Sequence, residues 1–312
     1  MKKIVVWATI ALSSVFFYSF FSKKNDDSMK IMVCKAVEHE ALNSVVRGME
    51  DYLRRQNGKY NISVETCQGN MALASQMISK FANSEAKVVV TIGTMPSQSA
   101  FRLAKSGKIK VVFSSVTNPD DISPNLAGAN TTGVSNFIRL EPQIELFRKI
   151  QPLLKNLGII YNTGEANSVS IVKKLKPICE KMGINLVEQG ISKISEIPQA
   201  AEKLSKIVDA VFISNDNMAL SAMANIVSVC GRNNVPVYVS DTDQVKNGCA
   251  AALGPNQYDI GVQTGKMVER IINGEDINKI AVEYPEVSEL YLNQKAPVKI
   301  PNDVKSQAKK IF

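Results

Sequence analysis

Residues 161–168 read YNTGEANS and lie between the apolar segment Leu157–Tyr161 and the amphipathic run Val169–Met182. This pattern predicts a strand, a polar turn containing Gly164, and a helix. In open α/β sheets ligands bind at such turns, beyond the carboxyl ends of the strands. The first N–H groups of the helix lack partners within the helix, so the turn can hold an anion or a hydroxyl. For a single turn of this kind, helix capping is the more common explanation.

Other predicted strands are also followed by polar turns, which makes capping alone a weaker explanation. These turns are Glu38-His39-Glu40, GTMPS at 93–97, VTNPD at 116–120, SNDN at 214–217 and SDTD at 240–243. All of them lie at carboxyl ends of predicted strands, where two facing parallel sheets would bring them to one cleft. The hydroxyls, carboxamides and acids of these turns suit a small ligand that carries both a carboxylate and an ammonium group.

Strands and helices alternate along the chain in two series. The first runs from Met29 to Ser114, and Thr117–Gly133 is predicted to be a loop that leaves it. The second series has predicted helices at 141–154, 169–182, 194–205, 218–230 and 257–272, with strands at 157–161, 185–189, 210–214, 235–239, 250–253 and 289–293. Two successive series of this kind predict an α/β fold with two doubly wound parallel-sheet lobes and an interlobe ligand cleft.

Composition excludes several classes of protein. The 312 residues are 45% hydrophobic and 21% charged, which is typical of one or two globular domains. The net charge is +8, but the basic residues are scattered and form no stripe with aromatics, so we expect no nucleic-acid partner. With one histidine and no clustered ligand spacing, we expect no metal site, and no motif indicates a cofactor.

The N-terminus has the pattern of an export signal. Met1-Lys2-Lys3 precedes an apolar run from Ile4 to Phe21, and a polar cluster ends at Ser28. The run is nearly long enough to span a bilayer, and it lacks an A-x-A-like cleavage site. Residues 1–28 are therefore predicted to be a signal peptide or a retained membrane anchor, and both alternatives stay open.

The five cysteines lie in predicted strands or helices without a C-x-x-C pair. Buried, reduced thiols are the expectation. Cys34 and Cys67 end the first two predicted strands, so a disulfide between them is an alternative in an exported protein.

Roles for the cleft residues follow from their chemistry. Thr94 and Ser97 begin a helix and can offer hydroxyls and free N–H groups to a carboxylate. Glu165, Asp216 and Asp241 can hold an ammonium group by charge-assisted bonds. The aromatic residues Phe113, Phe137 and Tyr161 lie near strand ends, where a ligand ring can stack, or they are ordinary core.

An enzymatic interpretation has little support. No G-x-G-x-x-G, Walker loop or G-x-S-x-G elbow is present. His39, between Glu38 and Glu40, fits a solvated or ligand-contacting histidine better than a general base. The pair Asp241 and Asp243 leaves an α/β enzyme as an alternative, although D-T-D also makes a capping turn. We assign no catalytic residue.

Taken in order, the turns resemble those of the substrate-binding proteins of bacterial ABC importers of the tryptophan and tyrosine type. The resemblance spans about Lys30 to Asn293. Its motifs are Glu38-His39 with Ala41-Leu42, Gln68-Gly69-Asn70, Val116-Thr117-Asn118-Pro119, Thr132-Gly133-Val134-Ser135, YNTGEANS, Ser214–Asn217, Ser240–Asp243 and GVQTGKM at 261–267. Asn215, where we expect Pro or Thr, and Met95, where we expect a small residue, depart from the pattern.

This resemblance implies a type I periplasmic-binding-protein fold, a Venus-flytrap with lobe 1 at 29–136 plus 256–280 and lobe 2 at 137–255 plus 281–312. It implies a monomeric periplasmic or extracytoplasmic protein, either free or tethered by its N-terminal segment. Such a protein captures a small ligand, expected to be an aromatic amino acid, and delivers it to an ABC permease. A ligand sensor without transport is the other alternative. The expected ligand-binding residues are Glu38, Thr94, Ser97, Asn118, Tyr161, Glu165, Asn167, Asn215, Asp216 and Asp241.

Overall fold

A computed structural model describes residues 28–56, 58–285 and 287–312. The predicted signal peptide or anchor at 1–28 therefore lies almost wholly outside the described residues. Within the described ranges, every helix falls short of the length and hydrophobicity that a bilayer crossing requires.

The first sheet has five parallel strands in the order β2-β1-β3-β4-β5. Its strands are β1 (Met29–Lys35), β2 (Tyr60–Thr66), β3 (Val88–Ile92), β4 (Val111–Val116) and β5 (Thr131–Ser135), and its first helices are α1 (Glu40–Arg55), α2 (Met71–Ala82) and α3 (Thr94–Lys105). Alternate residues of β1 enter different cores: Ile31 and Val33 pack with α1, whereas Met32 and Cys34 pack with α2 and α3. Because both faces are covered, the central strands are apolar on consecutive residues.

The second sheet has seven strands in the order β12-β11-β10-β9-β8-β6-β7. Its strands are β6 (Asn156–Asn162), β7 (Asn185–Ile191), β8 (Ala210–Ile213), β9 (Val237–Val239), β10 (Ala251–Gly254), β11 (Glu289–Leu292) and β12 (Lys310–Ile311). The helices of this part of the chain are α4 (Leu140–Ile150), α5 (Ala166–Lys181), α6 (Ile197–Leu204), α7 (Asn217–Ser221) and α8 (Met223–Arg232). Only the β10–β11 pair is antiparallel among the described strands. In the core, Phe147 stacks on Tyr238 with ring centroids 4.2 Å apart.

Helix α9 (Gln257–Ile272) follows β10 of the second sheet but packs on α1 in the first lobe. Two glycines make this contact possible. A Cβ at Gly48 would lie 2.0 Å from the carbonyl oxygen of Tyr258, and one at Gly261 would lie 2.1 Å from that of Val45. The GVQTGKM motif therefore joins a segment distant in sequence to the first lobe. The short helix α10 (Asn302–Lys305) precedes β12.

The predicted α/β class, with two doubly wound and mainly parallel sheets, is confirmed. Some elements differ from prediction: β5 lies partly in the segment predicted as loop, the helix predicted at 218–230 is divided into α7 and α8, and β12 was not predicted. Residues up to Glu283 run beside β5, since Glu283 pairs with Val134. The chain thus leaves the first sheet later than residue 280. The lobe boundaries themselves stay a prediction.

All five cysteines are buried free thiols. Cys34 and Cys67 belong to the same core cluster of the first lobe, and the Cys67 thiol donates to the Ala36 carbonyl over 3.4 Å. The expectation of buried reduced cysteines therefore describes this structure, and the alternative disulfide is not formed in it.

Candidate functional site

The carboxyl ends of the two sheets face each other across a small cavity. Residues from the first lobe and residues from the second line it together. The first lobe contributes His39, Ala41, Leu42, Gly93, Thr94, Ser115, Thr117, Asn136 and Gln257, and the second contributes Asn167, Asn215, Asn217, Leu220 and Asp241. Hydroxyls and carboxamides dominate this lining, as the polar turns predicted.

The cavity is narrow. Its volume is about 20 Å³, which is room for about one water molecule. An amino acid can enter only if the lobes move apart and the lining side chains rearrange.

Direct hydrogen bonds join the lobes around this cavity. The Asn215 amide donates to Thr117 Oγ1 over 3.3 Å and to the Asn136 carbonyl over 3.2 Å. Outside the cavity lining, Ser44 Oγ donates to Asp243 Oδ2 over 3.0 Å, and Lys246 Nζ lies 3.4 Å from Glu40 Oε1. Asn215, which departs from the pattern of the resembling proteins, is thus a bridge between the lobes.

Asp241 is the only carboxylate among the described residues that line the cavity. It is 1% exposed, and its oxygens accept from the Asp243 N–H over 3.1 Å and from Gln244 Nε2 over 3.3 Å. Burial first, and the charge of Asp243 second, raise the pKa of Asp241 to about 7. Asp241 and Asp243 also form the capping turn that competed with the enzymatic interpretation.

In this structure the other two acids expected at the ammonium group, Glu165 and Asp216, accept hydrogen bonds from protein N–H groups. Asp216 caps α7, accepting from the Ala219 N–H over 2.7 Å, and also accepts from the Asn162 N–H of β6. Burial and the neighbouring charge of Glu165 raise the pKa of Asp216 to about 7. The Glu165 carboxylate accepts from the backbone N–H groups of Asn217 and Met218, each over 3.1 Å. Neither acid lines the cavity.

Glu165 also orients a chain of polar side chains that ends in the cavity. The Asn217 amide nitrogen lies 2.6 Å from Glu165 Oε2, and the Asn217 oxygen lies 3.2 Å from His39 Nε2. His39 is 8% exposed, and its Nδ1 atom has no hydrogen-bond partner in the structure. Burial, as the largest cause, lowers the pKa of His39 to about 4, so the imidazole is neutral at pH 7.

Of the ten expected ligand-binding residues, four line the cavity: Thr94, Asn167, Asn215 and Asp241. Ser97 is bonded inside the first lobe, to Thr91 over 2.8 Å and to the Gly93 carbonyl over 2.7 Å. Glu38 is largely exposed and pairs with Lys35 over 2.8 Å. Asn118 donates to Asp121 Oδ1 over 3.2 Å.

None of the three candidate aromatic residues lines the cavity. Phe113 is fully buried in the first lobe, and Tyr161 packs on the core of the second. Phe137 is 41% exposed and meets Tyr284 edge-on, with centroids 6.2 Å apart, in a separate groove. The apolar wall of the cavity comes instead from Ala41, Leu42 and Leu220.

Ser115, Thr117, Asn136 and Asn217 line the cavity but were not among the expected ligand-binding residues, and the position of Ser115 depends on a local backbone irregularity. Ser115 lies at a β-bulge, where the register between β4 and β5 shifts, with a positive φ of 55°. Its hydroxyl donates to Gln257 over 3.2 Å, at the start of α9. Asn136 follows the unpredicted strand β5. Thr117 and Asn217 stood in quoted turns, so the turn motifs contained a signal for them.

Known proteins resemble this chain along nearly its whole length. A tyrosine-binding protein of Clostridioides difficile (strain R20291) is 27% identical over 283 residues, which cover 88% of this chain and 81% of the relative. The structure of an ABC domain from Streptococcus pneumonia in complex with L-Trp is 25% identical, with a TM-score of 0.85, covering 91% of this chain and all of that one. The ligand-free, open structure of a Clostridium difficile substrate-binding protein with adhesive properties is 27% identical, with a TM-score of 0.67, covering 90% of this chain and 98% of that one.

The sequence profile of the ABC transporter substrate binding proteins matches residues 30–311. This match covers every strand of both sheets except the first residue of β1 and takes in all of the turns that line the cavity. The chain therefore belongs to the ABC transporter substrate-binding protein family.

Proposed function

We propose that this protein is an extracytoplasmic solute-binding protein that captures an aromatic amino acid between its lobes and delivers it to an ABC permease. The observation that carries the proposal is Asp241, a buried carboxylate at the wall of an interlobe cavity. Among the described residues, neither Lys nor Arg lines that cavity. A buried carboxylate needs a cationic or hydrogen-bonding partner, and a ligand ammonium group can supply the cation.

The opposite wall suits the ligand carboxylate. Thr94 begins α3, whose first N–H groups lack partners within the helix. The hydroxyls of Ser115 and Thr117 lie on the same cavity. Leu42 and Leu220 offer apolar surface to a ligand side chain. The relatives that bind tyrosine and L-Trp support an aromatic amino acid as the ligand.

The hydrogen bonds between the lobes and the likeness to a liganded relative support a capture mechanism. At nearly equal coverage, the TM-score is 0.85 against the L-Trp complex and 0.67 against the ligand-free, open structure. The overall structure is therefore more similar to the liganded relative than to the open one. A ligand drives closure only as far as it binds the closed state better than the open one. We further propose a monomer at the outer side of the membrane, in keeping with the family and with the export-like N-terminus.

Mass spectrometry of the small molecules released from purified, denatured protein tests the proposed ligand class. We expect tryptophan or tyrosine, and we expect calorimetry with the refolded protein to rank these above sugars and nucleosides. The ligand should be recovered intact after incubation, since no reaction is proposed. A sugar or nucleoside that binds far more tightly than any amino acid would contradict the proposal.

Asn215→Ala tests the closed arrangement. The variant loses two hydrogen bonds between the lobes, worth together about 1–2 kcal/mol, so affinity should fall roughly 5- to 30-fold. Because Asn215 also lines the cavity, small-angle scattering of the unliganded protein provides the separate readout, and its radius of gyration should increase. Asn83→Ala, an exposed amide at the end of α2, is the matched control. An unchanged radius of gyration for Asn215→Ala would mean that these bonds do not hold the lobes together.

A further inference from the structure

One atom at the cavity has no partner that the protein supplies. Nδ1 of His39 is buried and forms no hydrogen bond, although the His39 side chain lies on the cavity wall. A buried polar atom left in this condition is costly, so native structures pair nearly all such atoms. Because His39 lines the cavity, a ligand that enters it can reach this side chain.

The hydrogen bonds that run from Glu165 through Asn217 to His39 determine whether Nδ1 of His39 is a donor or an acceptor. A carboxylate only accepts, so the Asn217 group that lies 2.6 Å from Glu165 must be the amide nitrogen. The Asn217 oxygen then points to His39 Nε2, 3.2 Å away. A carboxamide oxygen also only accepts, and Nε2 must therefore carry the hydrogen. In a neutral imidazole the other nitrogen, Nδ1, is left as an acceptor.

The imidazole is neutral because of its surroundings. Burial disfavours the cation, and Lys35 adds to this effect. Glu38 and Glu40 oppose it, but their side chains are largely solvent-exposed or paired with cations, to Lys35 and to Arg47 and Lys246 respectively. The cavity wall therefore presents an acceptor that requires an N–H or O–H donor.

We propose that His39 Nδ1 accepts a hydrogen bond from the side chain of the bound amino acid, and that it selects aromatic side chains with an O–H or N–H donor over phenylalanine. This inference rests on the proposed function. The ligand ammonium group has its charged partner in Asp241, which leaves the side-chain donor of the ligand for His39. A site with a buried acceptor discriminates strongly against an analogue that lacks the donor, because the acceptor then stays unpaired.

Two substitutions separate the acceptor from the rest of the histidine. Gln places its terminal amide at the distance of Nε2, so H39Q can keep the bond to Asn217 while it loses the acceptor at Nδ1. Asn places its carboxamide oxygen at the distance of Nδ1, so H39N keeps an acceptor there while it loses the bond to Asn217. Calorimetry of the wild type and both variants with L-tyrosine, L-tryptophan and L-phenylalanine measures the consequence.

For the wild type we expect tyrosine or tryptophan to bind roughly 10- to 100-fold more tightly than phenylalanine. H39Q should reduce this ratio to near one by weakening the better ligand and not phenylalanine. H39N should keep most of the ratio while it lowers the affinity for all three amino acids. A wild type that binds phenylalanine equally well, or an H39Q variant that keeps the full ratio, overturns the inference and leaves Nδ1 to a water molecule. Failure of all three amino acids to bind would instead overturn the proposed function and this inference with it.

A second measurement does not depend on the variants. His39 is the only histidine of the chain, so the imidazole signals in long-range ¹H–¹⁵N spectra of the wild type need no assignment. We expect the Nε2–H tautomer at pH 7, with an Nδ1 resonance that moves toward the hydrogen-bonded position when tyrosine or tryptophan is added. Phenylalanine should leave it in place. An Nδ1–H tautomer in the ligand-free protein would contradict the proposed polarity of the chain from Glu165.

Discussion

Asp241→Asn is expected to lower the affinity for an amino acid by roughly 10- to 150-fold, because it removes a charge-assisted bond worth about 1.5–3 kcal/mol. The amide keeps the shape of the side chain and one oxygen to accept from the Asp243 N–H, so the capping turn at 242–247 should persist. Calorimetry measures the loss, and Asp303→Asn, an exposed acid on α10, is the matched control. Equal affinity of Asp241→Asn and wild type would refute the ammonium site.

The pH dependence gives this prediction a second readout. The raised pKa of about 7 means that free Asp241 is largely protonated below pH 7, whereas a bound ammonium group requires the ionised form. Affinity should therefore rise with pH up to about 7 and level off above it, with a proton released on binding near pH 6. Burial and the charge of Asp243 raise the pKa of Asp241, whereas the hydrogen bonds from the Asp243 N–H and from Gln244, together with the charge of Lys246, lower it. In Asp241→Asn the affinity should lose this dependence.

The raised pKa of Asp241 also predicts how the stability of the unliganded protein depends on pH. Stability should fall as the pH rises, whereas affinity should rise. A folded-state pKa above the unfolded value of 3.8 means that the native state binds more protons. The contribution of Asp241 to the free energy of unfolding is fully present below pH 3.8 and is lost as the pH rises to about 7. Unliganded Asp241→Asn should therefore be more stable than the wild type at pH 8. Thermal unfolding at pH 5 and pH 8 tests the sign.

The sequence predicted the location of the interlobe cavity more accurately than it predicted which side chains line that cavity. Polar turns after apolar strands located the carboxyl edges of both sheets, because strand ends are a local property of the chain. Whether Asp216 or Asp241 faces the ligand is not local: Asp216 is engaged by the N–H of Asn162, 54 residues away. Such a partner is apparent only once β6 and β8 are paired in the sheet.

Asn136 and the unpartnered Nδ1 atom of His39 could not be predicted for a similar reason, since both depend on contacts between distant parts of the chain. Strand β5 reads TTGVS, in which only Val134 is strongly apolar, yet it is buried throughout because the chain up to Glu283 covers its edge. Without β5 the sequence could not place Asn136 at the cavity. His39 was recognised as a possible ligand contact from its position in a strand-end turn, but its unpartnered Nδ1 depends on contacts from the opposite lobe.

Glu165→Ala is expected to destabilise the fold by about 3–4 kcal/mol, because it removes the acceptor for several N–H donors at once. Two of these are the backbone N–H groups of Asn217 and Met218, and the others are the amides of Asn162, Asn167 and Asn217. Bonds to a charged acceptor are worth about 1.5–3 kcal/mol each. Loss of the Glu165 charge also removes its repulsion with Asp216, which offsets part of the loss. The expected destabilisation is therefore smaller than the sum of the hydrogen-bond energies.

Thermal unfolding measures this effect, and the melting temperature of Glu165→Ala should fall by roughly 10 °C. Glu165→Gln is the matched variant: it retains one acceptor oxygen and should lose less than half as much stability. The two acids then separate two roles, since Glu165→Gln should reduce stability more than Asp241→Asn does, whereas Asp241→Asn should reduce affinity more. If Glu165→Gln instead abolished binding and left the melting temperature unchanged, Glu165 and not Asp241 would be the partner of the ligand ammonium group.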